Sequence, residues 1–494
     1  MPRRPLIRAS WLPCMALACA AAALLSCSGG ADPGGSGSGA RADRQRPVIL
    51  ISIDSLRADH TTPYGYRPHY APDEVTMPFL DRLGREGVVF ENASAVSPWT
   101  LPSHISLLTG MHPIEHGVRS RKWSLGPEVD LVSEVFQDAG YHTAGIFSAP
   151  FLHPVWGFHR GFEVYTPGPD YLGTLESAEA LAASGKGEKV ESIHHTSHTD
   201  NRTAEPVIDK AIYWLEEKKR YEDGFFLFLH LWDPHYDYFP PEDYRARFLP
   251  PEHDKVVGDE LMQLDRELSD DEILQLKALY DAEIRYTDDQ IKRLFDQLEA
   301  WGIADDVIIG ITSDHGDEFM EHGQRGHHLT LYEEVMQVPM VLHAPGLLPA
   351  GTRVTGTVSN RDLAPTLVEL AGLPEWTGRS GTSLSPLWNG EDLDREVPMD
   401  LLRPTRRIEL RGYRKGDAKG ILDSFRKTYT VFDLAADPGE QSPWVGKLTD
   451  KDDPFAVESL AFFQAAQAIR HRVGKVAETA EMTELLSELG YTED

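Results

Sequence analysis

The chain has 494 residues, of which 41% are hydrophobic and 26% charged, and its formal net charge is −30 at pH 7. This length suggests about two domains, and the apolar content is enough for a large core, which excludes a disordered protein. The acidic balance argues against nucleic acid as a partner, because phosphate backbones need clustered Lys and Arg. An anionic substrate would need a local positive charge, for which a bound metal ion is the obvious source.

The N-terminus has the pattern of an export signal. Basic residues at positions 3, 4 and 8 precede an apolar run over residues 11–25, which is too short to span a bilayer comfortably and is typical of a signal-peptide core. The run ends in the letters LLSC at Cys27, which resembles the bacterial lipobox and predicts lipidation of that cysteine. Cleavage nearby as an ordinary signal peptide is the alternative.

A flexible tether and two further regions follow. Residues 28–45 are rich in Gly and Ser and have little to bury. The predicted division is a signal peptide at 1–26, a lipidated Cys27 with its tether at 27–45, a main domain at 46–395, and a small C-terminal subdomain at 396–494. Acyl chains on Cys27 would anchor the protein to a membrane. The expected location is the bacterial cell envelope, in the outer membrane or the periplasm.

Short apolar runs alternate with helical patterns along the main domain. The runs predict buried strands at residues 47–53, 143–147, 225–231, 307–312 and 338–342. Helical spacing covers residues 131–139, 207–219 and 270–298. This alternation predicts an α/β fold in which a mainly parallel sheet is sandwiched by helices.

Two regions depart from that alternation. Residues 170–203 are small and polar, which predicts an exposed insertion or lid. After about residue 400 the charge density rises. There, residues 426–434 predict a strand of a smaller sheet and residues 455–469 a terminal amphipathic helix, so the C-terminal subdomain is expected to be α+β.

Polar residues stand just after three of the predicted strands. Asp54 follows the first, His235 the third, and the pair Asp314 and His315 the fourth. Ligands of open α/β sheets bind outside the carboxyl ends of the strands, so these side chains are expected to converge. A single such Asp is often only a helix cap, and a single His is often structural. Together they predict a site.

Several segments resemble the sulfatase family of the alkaline phosphatase superfamily. The segment SPWTLPSHISLLTG at residues 97–110 resembles its signature, in which a nucleophile and one variable residue precede Pro-Ser-Arg and Thr-Gly follows. ILISIDSLRADH, FFLFLHLWDPH and TSDHGDEFMEHG resemble its metal-binding and active-site segments, and RGHHLTLYEEVMQVPMVLHAPG, VSNRDLAPTLVELAGLP and FDLAADPGEQ its later blocks. The resemblance covers roughly residues 46–445 and implies an alkaline-phosphatase-like sheet.

The resemblance also implies residue roles. It assigns three metal ligands: Asp54, Asp314 and His315. Carboxylates with one imidazole suit one or two divalent ions, whether Ca²⁺, Mg²⁺, Mn²⁺ or Zn²⁺. It places four residues in the catalytic set: Thr100 as nucleophile, His104, His235 and His327. The last two match histidines that bind the transferred group or protonate the leaving oxygen, although the neighbouring His328 leaves the assignment of His327 open.

Three positions depart from the family pattern. Active sulfatases oxidise a Cys or Ser nucleophile to formylglycine, whereas oxidation of Thr100 would give a ketone. His104 replaces the usual Arg, and Ser55 stands where many sulfatases have a second Asp. All the cysteines of the chain lie at residues 14, 19 and 27, so none can replace Thr100. The expected site is therefore different from the usual sulfate site.

Three functions remain open at this stage. The first is a hydrolase of phosphate or sulfate esters that uses Thr100 directly, with phosphoesters favoured because a plain alkoxide suits phosphorus chemistry. The second is a phospho-group transferase on envelope glycans or lipids, although such relatives usually carry several membrane helices. The third is a non-catalytic binding protein, although a site without catalytic activity would not need metal ligands. The expected substrate is an anionic ester, of a glycan or a lipid.

Aromatic residues beside His235 have two interpretations. Tyr236, Tyr238 and Phe239 could stack on a sugar or an aryl group of the substrate. They could equally belong to the core, and the sequence favours the core slightly.

Overall fold

The computed structural model describes residues 45–168, 203–236, 238–253, 257–264, 266–391, 393, 395–448 and 473–476. Its strands are β1 (Val48–Ile53), β2 (Val88–Ser94), β3 (Trp123–Ser124), β4 (His142–Phe147), β5 (Val164–Pro167), β6 (Phe225–Leu231), β7 (Ile308–Ser313), β8 (Glu318–Phe319), β9 (Arg325–Gly326), β10 (Met340–His343), β11 (Thr352–Ser359), β12 (Val397–Arg403), β13 (Ile408–Lys415), β14 (Ala418–Asp423), β15 (Thr428–Asp433), β16 (Trp444–Lys447) and β17 (Gly474–Lys475).

The α-helices of the same residues are α1 (Pro78–Glu86), α2 (Thr100–Thr109), α3 (Pro113–His116), α4 (Val132–Asp138), α5 (Ala204–Glu216), α6 (Glu242–Phe248), α7 (Gly258–Gln263), α8 (Asp270–Ala300), α9 (Glu333–Met336), α10 (Leu363–Leu370) and α11 (Ser385–Trp388). Short 3₁₀ turns lie at Ala58–His60, Thr62–Tyr64, Pro150–Leu152, Pro154–Trp156, Glu217–Glu222, Pro251–His253 and Asn360–Asp362.

The largest sheet has eight strands in the order β11-β2-β10-β7-β1-β6-β4-β5. Strand β1 lies between β6 and β7 and is parallel to both, as are the pairs β4–β6, β4–β5 and β2–β11. Only β10 among these strands runs against its neighbours β7 and β2. The predicted α/β fold with a mainly parallel sheet is confirmed.

Both faces of this sheet are covered, as the apolar runs require. Along β1 the side chains alternate between two clusters, with Val48 and Leu50 in one and Ile49 and Ile51 in the other. The first cluster includes residues of α2, α4 and α10, and the second residues of α1, α5 and α8. The helices therefore enclose β1 completely, and all its residues are buried.

Two predicted helices were placed accurately, while the third ends early. The helix predicted at residues 131–139 corresponds to α4, and the one predicted at 270–298 corresponds to α8, which starts at a capping box of Ser269 and Glu272 and continues to Ala300. The helix predicted over 207–219 stops at Glu216, because Lys218 and Lys219 have left-handed backbone angles. The prediction extended too far because lysines are good helix formers and the pattern gave no stop signal.

A second sheet of five antiparallel strands, in the order β12-β13-β14-β15-β16, follows the first. The strand predicted at residues 426–434 corresponds to β15, whereas the other strands of this sheet were not predicted. The predicted signal peptide, Cys27 with residues 28–44 of its tether, residues 170–202 of the predicted insertion and the predicted helix at 455–469 lie outside the described residues. Thr203, the last residue of that insertion, is buried. Within the described ranges, no helix combines the length and the apolar character needed to cross a membrane.

Candidate active site

The predicted polar residues meet at the carboxyl ends of the central strands. Ile53 of β1 lies opposite Ser313 of β7 in the parallel register, so Asp54 and Asp314, the next residues, stand side by side. Both carboxylates and the imidazole of His315 are fully buried. Their ligand atoms all lie within 4.8 Å of one another, which is close enough to share one metal ion. The sequence-predicted ligand set is therefore brought together.

Backbone geometry after β1 helps to form this cluster. Ser55 adopts a left-handed conformation with φ of 57°, which is uncommon for a residue with a Cβ. The turn directs its N–H to Oδ1 of Asp314 at 3.2 Å and its hydroxyl to Oδ1 of Asp54 at 3.1 Å. Where many sulfatases have a second acid, this chain therefore supplies a hydrogen-bond donor that connects the two remaining ones.

Three buried polar atoms at this position make no hydrogen bond: Oγ1 of Thr100, Oδ2 of Asp314 and Nε2 of His315. Buried polar atoms are nearly always hydrogen-bonded, so three unpaired ones together indicate a site for a further binding partner. The Nδ1–H of His315 donates to the carbonyl of Gly316 at 3.1 Å, which leaves the lone pair on Nε2, 3.3 Å from Oδ2 of Asp314. The lone pairs of Nε2 and Oδ2 face each other at this distance, and a cation between them could bind both.

Electrostatics support the same conclusion. Burial raises the pKa of Asp54 and of Asp314 well above the ordinary value, and the charge of Asp54 raises that of Asp314 further. Thr100 lies close enough to Asp54 to favour the charged carboxylate to a small extent. A divalent cation among these groups would reverse the repulsion and keep both carboxylates ionised.

His104 lies behind Thr100, one helical turn along α2. Its Nδ1–H donates to the carbonyl of Thr100 at 2.9 Å, so Nε2 must accept from the Ser52 hydroxyl, also at 2.9 Å. The same Nδ1 lies 3.4 Å from Oδ2 of Asp314, without hydrogen-bond geometry. Burial lowers the pKa of His104 well below its usual value. A neutral imidazole therefore occupies the place of the family's Arg and holds the start of α2.

His230, which the sequence analysis did not identify, is part of the site. It is the penultimate residue of β6, and its Nε2 lies 3.1 Å from Oδ2 of Asp54. Because the backbone N–H of Ser148 points to Nδ1 at 3.4 Å, the proton sits on Nε2 and is donated to Asp54. Burial lowers the pKa of His230 to about 3. A single histidine within the apolar run FFLFLHL was the available signal.

A second group of side chains lies against the first. The ring of His327 is 4.2 Å from that of His315 and 5.0 Å from that of His235, measured between centroids. Nδ1 of His327 is hydrogen-bonded to Asp317 at 2.7 Å, and the Tyr238 hydroxyl donates to the same carboxylate at 2.6 Å. The predicted histidines therefore lie next to the cluster of Asp54, Asp314 and His315, and Asp317, which was not predicted from the sequence, orients one of them.

The alternative between His327 and His328 is also addressed by their surroundings. His327 faces Asp317 and His315, whereas the backbone N–H of His328 donates to the carbonyl of Pro98 at 2.9 Å. Burial lowers the pKa of both His235 and His327 to about 3. Both rings are therefore neutral at rest.

The aromatic residues beside His235 divide into two kinds. Tyr238 is 1% exposed and hydrogen-bonded to Asp317, which places it in the core. Tyr236 is half-buried, with its ring 5.3 Å from that of His327, and Trp232 stacks on His235 at 3.9 Å. These two rings border the histidines of the site.

Comparison with known proteins identifies the family. The family model described as Sulfatase matches residues 46–373. The chain belongs to the sulfatase family. Among its relatives, the ulvan-active sulfatase of Formosa agariphila is 27% identical over 436 residues, which cover 81% of this chain and 77% of that protein. The choline-sulfatase of Rhizobium meliloti is 26% identical over 433 residues, which cover 80% and 81% respectively.

Solved structures of sulfatase-like proteins share the fold. A protein in complex with its substrate, D-glucosamine-2-N,6-O-disulfate, matches with a TM-score of 0.66 at 19% identity, over 86% of this chain and 98% of that one. The phosphonate monoester hydrolase of Agrobacterium radiobacter matches with a TM-score of 0.65 at 22% identity, over 87% and 97%. As a sulfatase-family protein with such relatives, the chain is an ester hydrolase.

Proposed function

We propose that this sulfatase-family protein is a metal-dependent hydrolase that cleaves phosphate or sulfate esters with Thr100 as the direct nucleophile, without a formylglycine. The observation that carries the proposal is the convergence of three unpartnered buried atoms on Thr100, Asp314 and His315 beside the Asp54 carboxylate. Each is an acceptor or a hydroxyl, and Thr100 is at the N-terminus of α2, where a helix favours negative charge.

The proposed metal ligands are Asp54, Asp314 and Nε2 of His315, with the Thr100 hydroxyl facing the same point. When bound, a divalent cation such as Ca²⁺, Mg²⁺, Mn²⁺ or Zn²⁺ lowers the pKa of a hydroxyl and neutralises charge on the ester oxygens. His230 and Ser55 donate to the two oxygens of Asp54 and fix its orientation. His315 is also close to Asp317 and His327, but its one available nitrogen can serve a single ion.

The chemistry then follows from the side chains of the chain. The Thr100 oxygen attacks the phosphorus or sulfur, and the bond to the leaving oxygen breaks, so the transferred group is held on Thr100. A neutral His235 or His327 accepts the hydroxyl proton and returns it to the leaving oxygen, with Asp317 stabilising the imidazolium of His327 in between. Water then attacks the same central atom, the bond from that atom to the Thr100 oxygen breaks, and the proton that the water gives up passes through the histidine to that oxygen and restores the hydroxyl.

Phosphoesters are the favoured substrates on mechanistic grounds. Attack by water at phosphorus releases phosphate and regenerates Thr100 unchanged. A sulfated threonine has no second hydroxyl through which sulfate could be expelled by C–O cleavage. The names of similar proteins, which include an ulvan-active sulfatase and a phosphonate monoester hydrolase, support an anionic ester as the substrate class. The substrate named for one solved structure, D-glucosamine-2-N,6-O-disulfate, supports a sugar as the group that carries the ester.

The test compares an aryl phosphate monoester, an aryl phosphodiester and an aryl sulfate with the full chain, in the presence of divalent metal and after chelation. Thr100→Ala should lower phosphoester turnover at least ~10³-fold, because it removes the nucleophile. Thr109→Ala is the matched control, since Thr109 lies in the same helix and its hydroxyl already donates to the carbonyl of Ile105. Labelled phosphate should appear on Thr100 in wild type.

Three results would contradict the proposal. Retained turnover in Thr100→Ala would place the nucleophile elsewhere. Turnover of the sulfate alone would contradict the preference for phosphorus. Absence of both bound metal and turnover, even after metal is added, would favour a non-catalytic binding protein.

A further inference from the structure

The turn that carries His235 begins directly after β6. The backbone N–H of His235 donates to the carbonyl of Trp232 at 2.8 Å, which closes the turn. The Nδ1–H of His235 donates to the carbonyl of Tyr236 at 2.5 Å, so Nε2 is the nitrogen left for the proton transfer of the proposed function. The position of Nε2 therefore depends on the position of this turn.

Asp233, within the turn, is hydrogen-bonded to the start of α5. Its Oδ2 accepts the backbone N–H of Thr203 at 3.0 Å, the hydroxyl of Thr203 at 2.9 Å and the backbone N–H of Ala204 at 2.7 Å. The N-cap residue of α5, Thr203, makes no capping bond with its own side chain, and a carboxylate at a helix N-terminus is stabilising. Asp233 is buried, so its carboxylate joins the turn to a helix of 13 residues with little competition from water.

Other contacts hold the same turn against α8 and the end of β4. The Thr287 hydroxyl donates to the carbonyl of Asp233 at 3.2 Å, and the backbone N–H of Trp232 donates to the Ser148 hydroxyl at 2.8 Å. That hydroxyl donates in turn to the carbonyl of His230 at 2.9 Å. Each of these bonds fixes one backbone group, whereas the Asp233 carboxylate accepts three donors. Its removal should therefore displace the turn more than the loss of any of the other bonds.

We infer that Asp233 is a positioning residue of the proposed reaction: by accepting the three donors at the start of α5, it fixes the turn that holds His235 against the ester. Asp233 lies two residues before His235 and acts through it, without touching the substrate. Displacing a catalytic group by about 1 Å can cost about 10²-fold in rate. The inference rests on the proposed function, in which His235 is one of two histidines that move the proton. A purely structural role, in which Asp233 only stabilises α5, is the alternative.

The experiment measures kcat of the folded, metal-loaded full chain with phenyl phosphate, whose phenoxide leaving group needs a proton. Burial raises the pKa of Asp233 to about 6, so its carboxylate is ionised in assays at about pH 8. Asp233→Ala should lower kcat at least ~10-fold, and Asp233→Asn, which keeps one acceptor oxygen, should recover at least ~3-fold. In a His235→Ala background, Asp233→Ala should cost less than ~2-fold, since the residue through which it acts is gone.

Asp288→Ala is the matched control. Asp288 is also buried, and its carboxylate also accepts the first amides of another helix: those of Phe79 at 2.8 Å and Leu80 at 2.9 Å, in α1. Its removal should therefore destabilise the protein in a similar way without moving the turn of His235. Asp288→Ala should lower Tm and leave kcat of the folded protein within ~2-fold of wild type.

Two results would overturn the inference. Asp233→Ala could behave as Asp288→Ala does, or it could lower kcat by the same factor in the wild-type and His235→Ala backgrounds. If Asp233→Ala does not fold, Thr203→Val replaces it, because the substitution is isosteric and removes one of the three donors. It should lower kcat at least ~3-fold in wild type and less than ~2-fold in the His235→Ala background. A smaller loss in wild type, or an equal loss in both backgrounds, would overturn the inference as well.

Nitrogen NMR of protein labelled at histidine separates the inference from the proposed function if wild type hydrolyses no ester. Nδ1 of His235 should carry the proton in wild type, because it donates to the carbonyl of Tyr236, and loss of the signal in His235→Ala assigns it. A mixture of tautomers in Asp233→Ala, with an unchanged signal in Asp288→Ala, would support the positioning of His235 even though the hydrolase proposal had failed. An unchanged signal in Asp233→Ala would overturn it.

Discussion

Two clusters of buried acids in this protein balance their charge in different ways. At the junction of the sheets, Glu333 and Glu440 enclose Lys419, with Nζ–O distances of 2.8 and 2.9 Å, and Arg414 pairs with Glu333 as well. At the active site, Asp54 and Asp314 repel each other, and the neighbouring Asp317 adds to the repulsion. The junction contains its own cations, whereas the site, under the proposed function, takes one from outside the chain.

The source of positive charge distinguishes a structural cluster of acids from a binding cluster. In the junction, the Lys419 ammonium lies within ion-pair distance of both acids, and Glu440 also accepts the backbone N–H of Glu333 at 2.6 Å. In the site, the groups nearest to Oδ2 of Asp314 are the imidazoles of His104 and His315, whose lowered pKa keeps them neutral. Burial alone is common to both clusters and does not distinguish them.

The largest expected effect is the loss of the cation in the junction. Lys419→Met should lower the free energy of unfolding by about 3–5 kcal/mol, because it leaves two acids buried with only Arg414 to compensate them. Urea denaturation measures the change, and Lys447→Met, at an exposed position of β16, is the control. A cost below about 1 kcal/mol would mean that the junction is not held by this balance.

A smaller effect should follow from adding the divalent cation that is proposed for the site. Divalent metal at 100 times its dissociation constant should stabilise the folded protein by about 2.7 kcal/mol, visible as a rise in Tm. His315→Ala should abolish the rise. Glu334→Gln is the control, because Glu334 belongs to a separate half-buried cluster with Glu318 and His322 that could also bind metal. A rise that depends on Glu334 and not on His315 would contradict the assignment.

The smallest effect concerns the metal-free protein. Asp314→Asn should raise its stability by about 1 kcal/mol at neutral pH, since it removes one of two repelling carboxylates. The folded-state pKa of Asp314 is raised above its ordinary value of 3.8, so wild-type stability falls as pH rises from about 4. The variant should therefore gain most at high pH. If Asp314→Asn instead lowered the free energy of unfolding by the same amount at pH 5 and pH 8, repulsion between the two carboxylates would be contradicted.

The sequence was enough to predict which site residues lie together where strand order sets their neighbours. Asp54 and Asp314 could be paired in advance because each follows a buried parallel strand. His230 and Asp317 were missed, since a histidine in an apolar strand and an acid after a glycine have common structural explanations. Their importance depends on the partners that the fold brings to them: Asp54 in one case, His327 and Tyr238 in the other.

The antiparallel direction of β10 could not be predicted either, because the connections of the chain set the direction of a strand and its own residues do not.

Helix α1 has a consequence for the order of folding. No side chain at its own N-cap, Met77, satisfies its first amides; Asp288 of α8 does, accepting the N–H groups of Phe79 at 2.8 Å and Leu80 at 2.9 Å. The two partners are 209 and 208 residues apart in sequence. A nine-residue helix is marginal in water on its own, so α1 gains its lasting stability only after α8 has docked. One of the first helices in the chain is thus among the late events of folding.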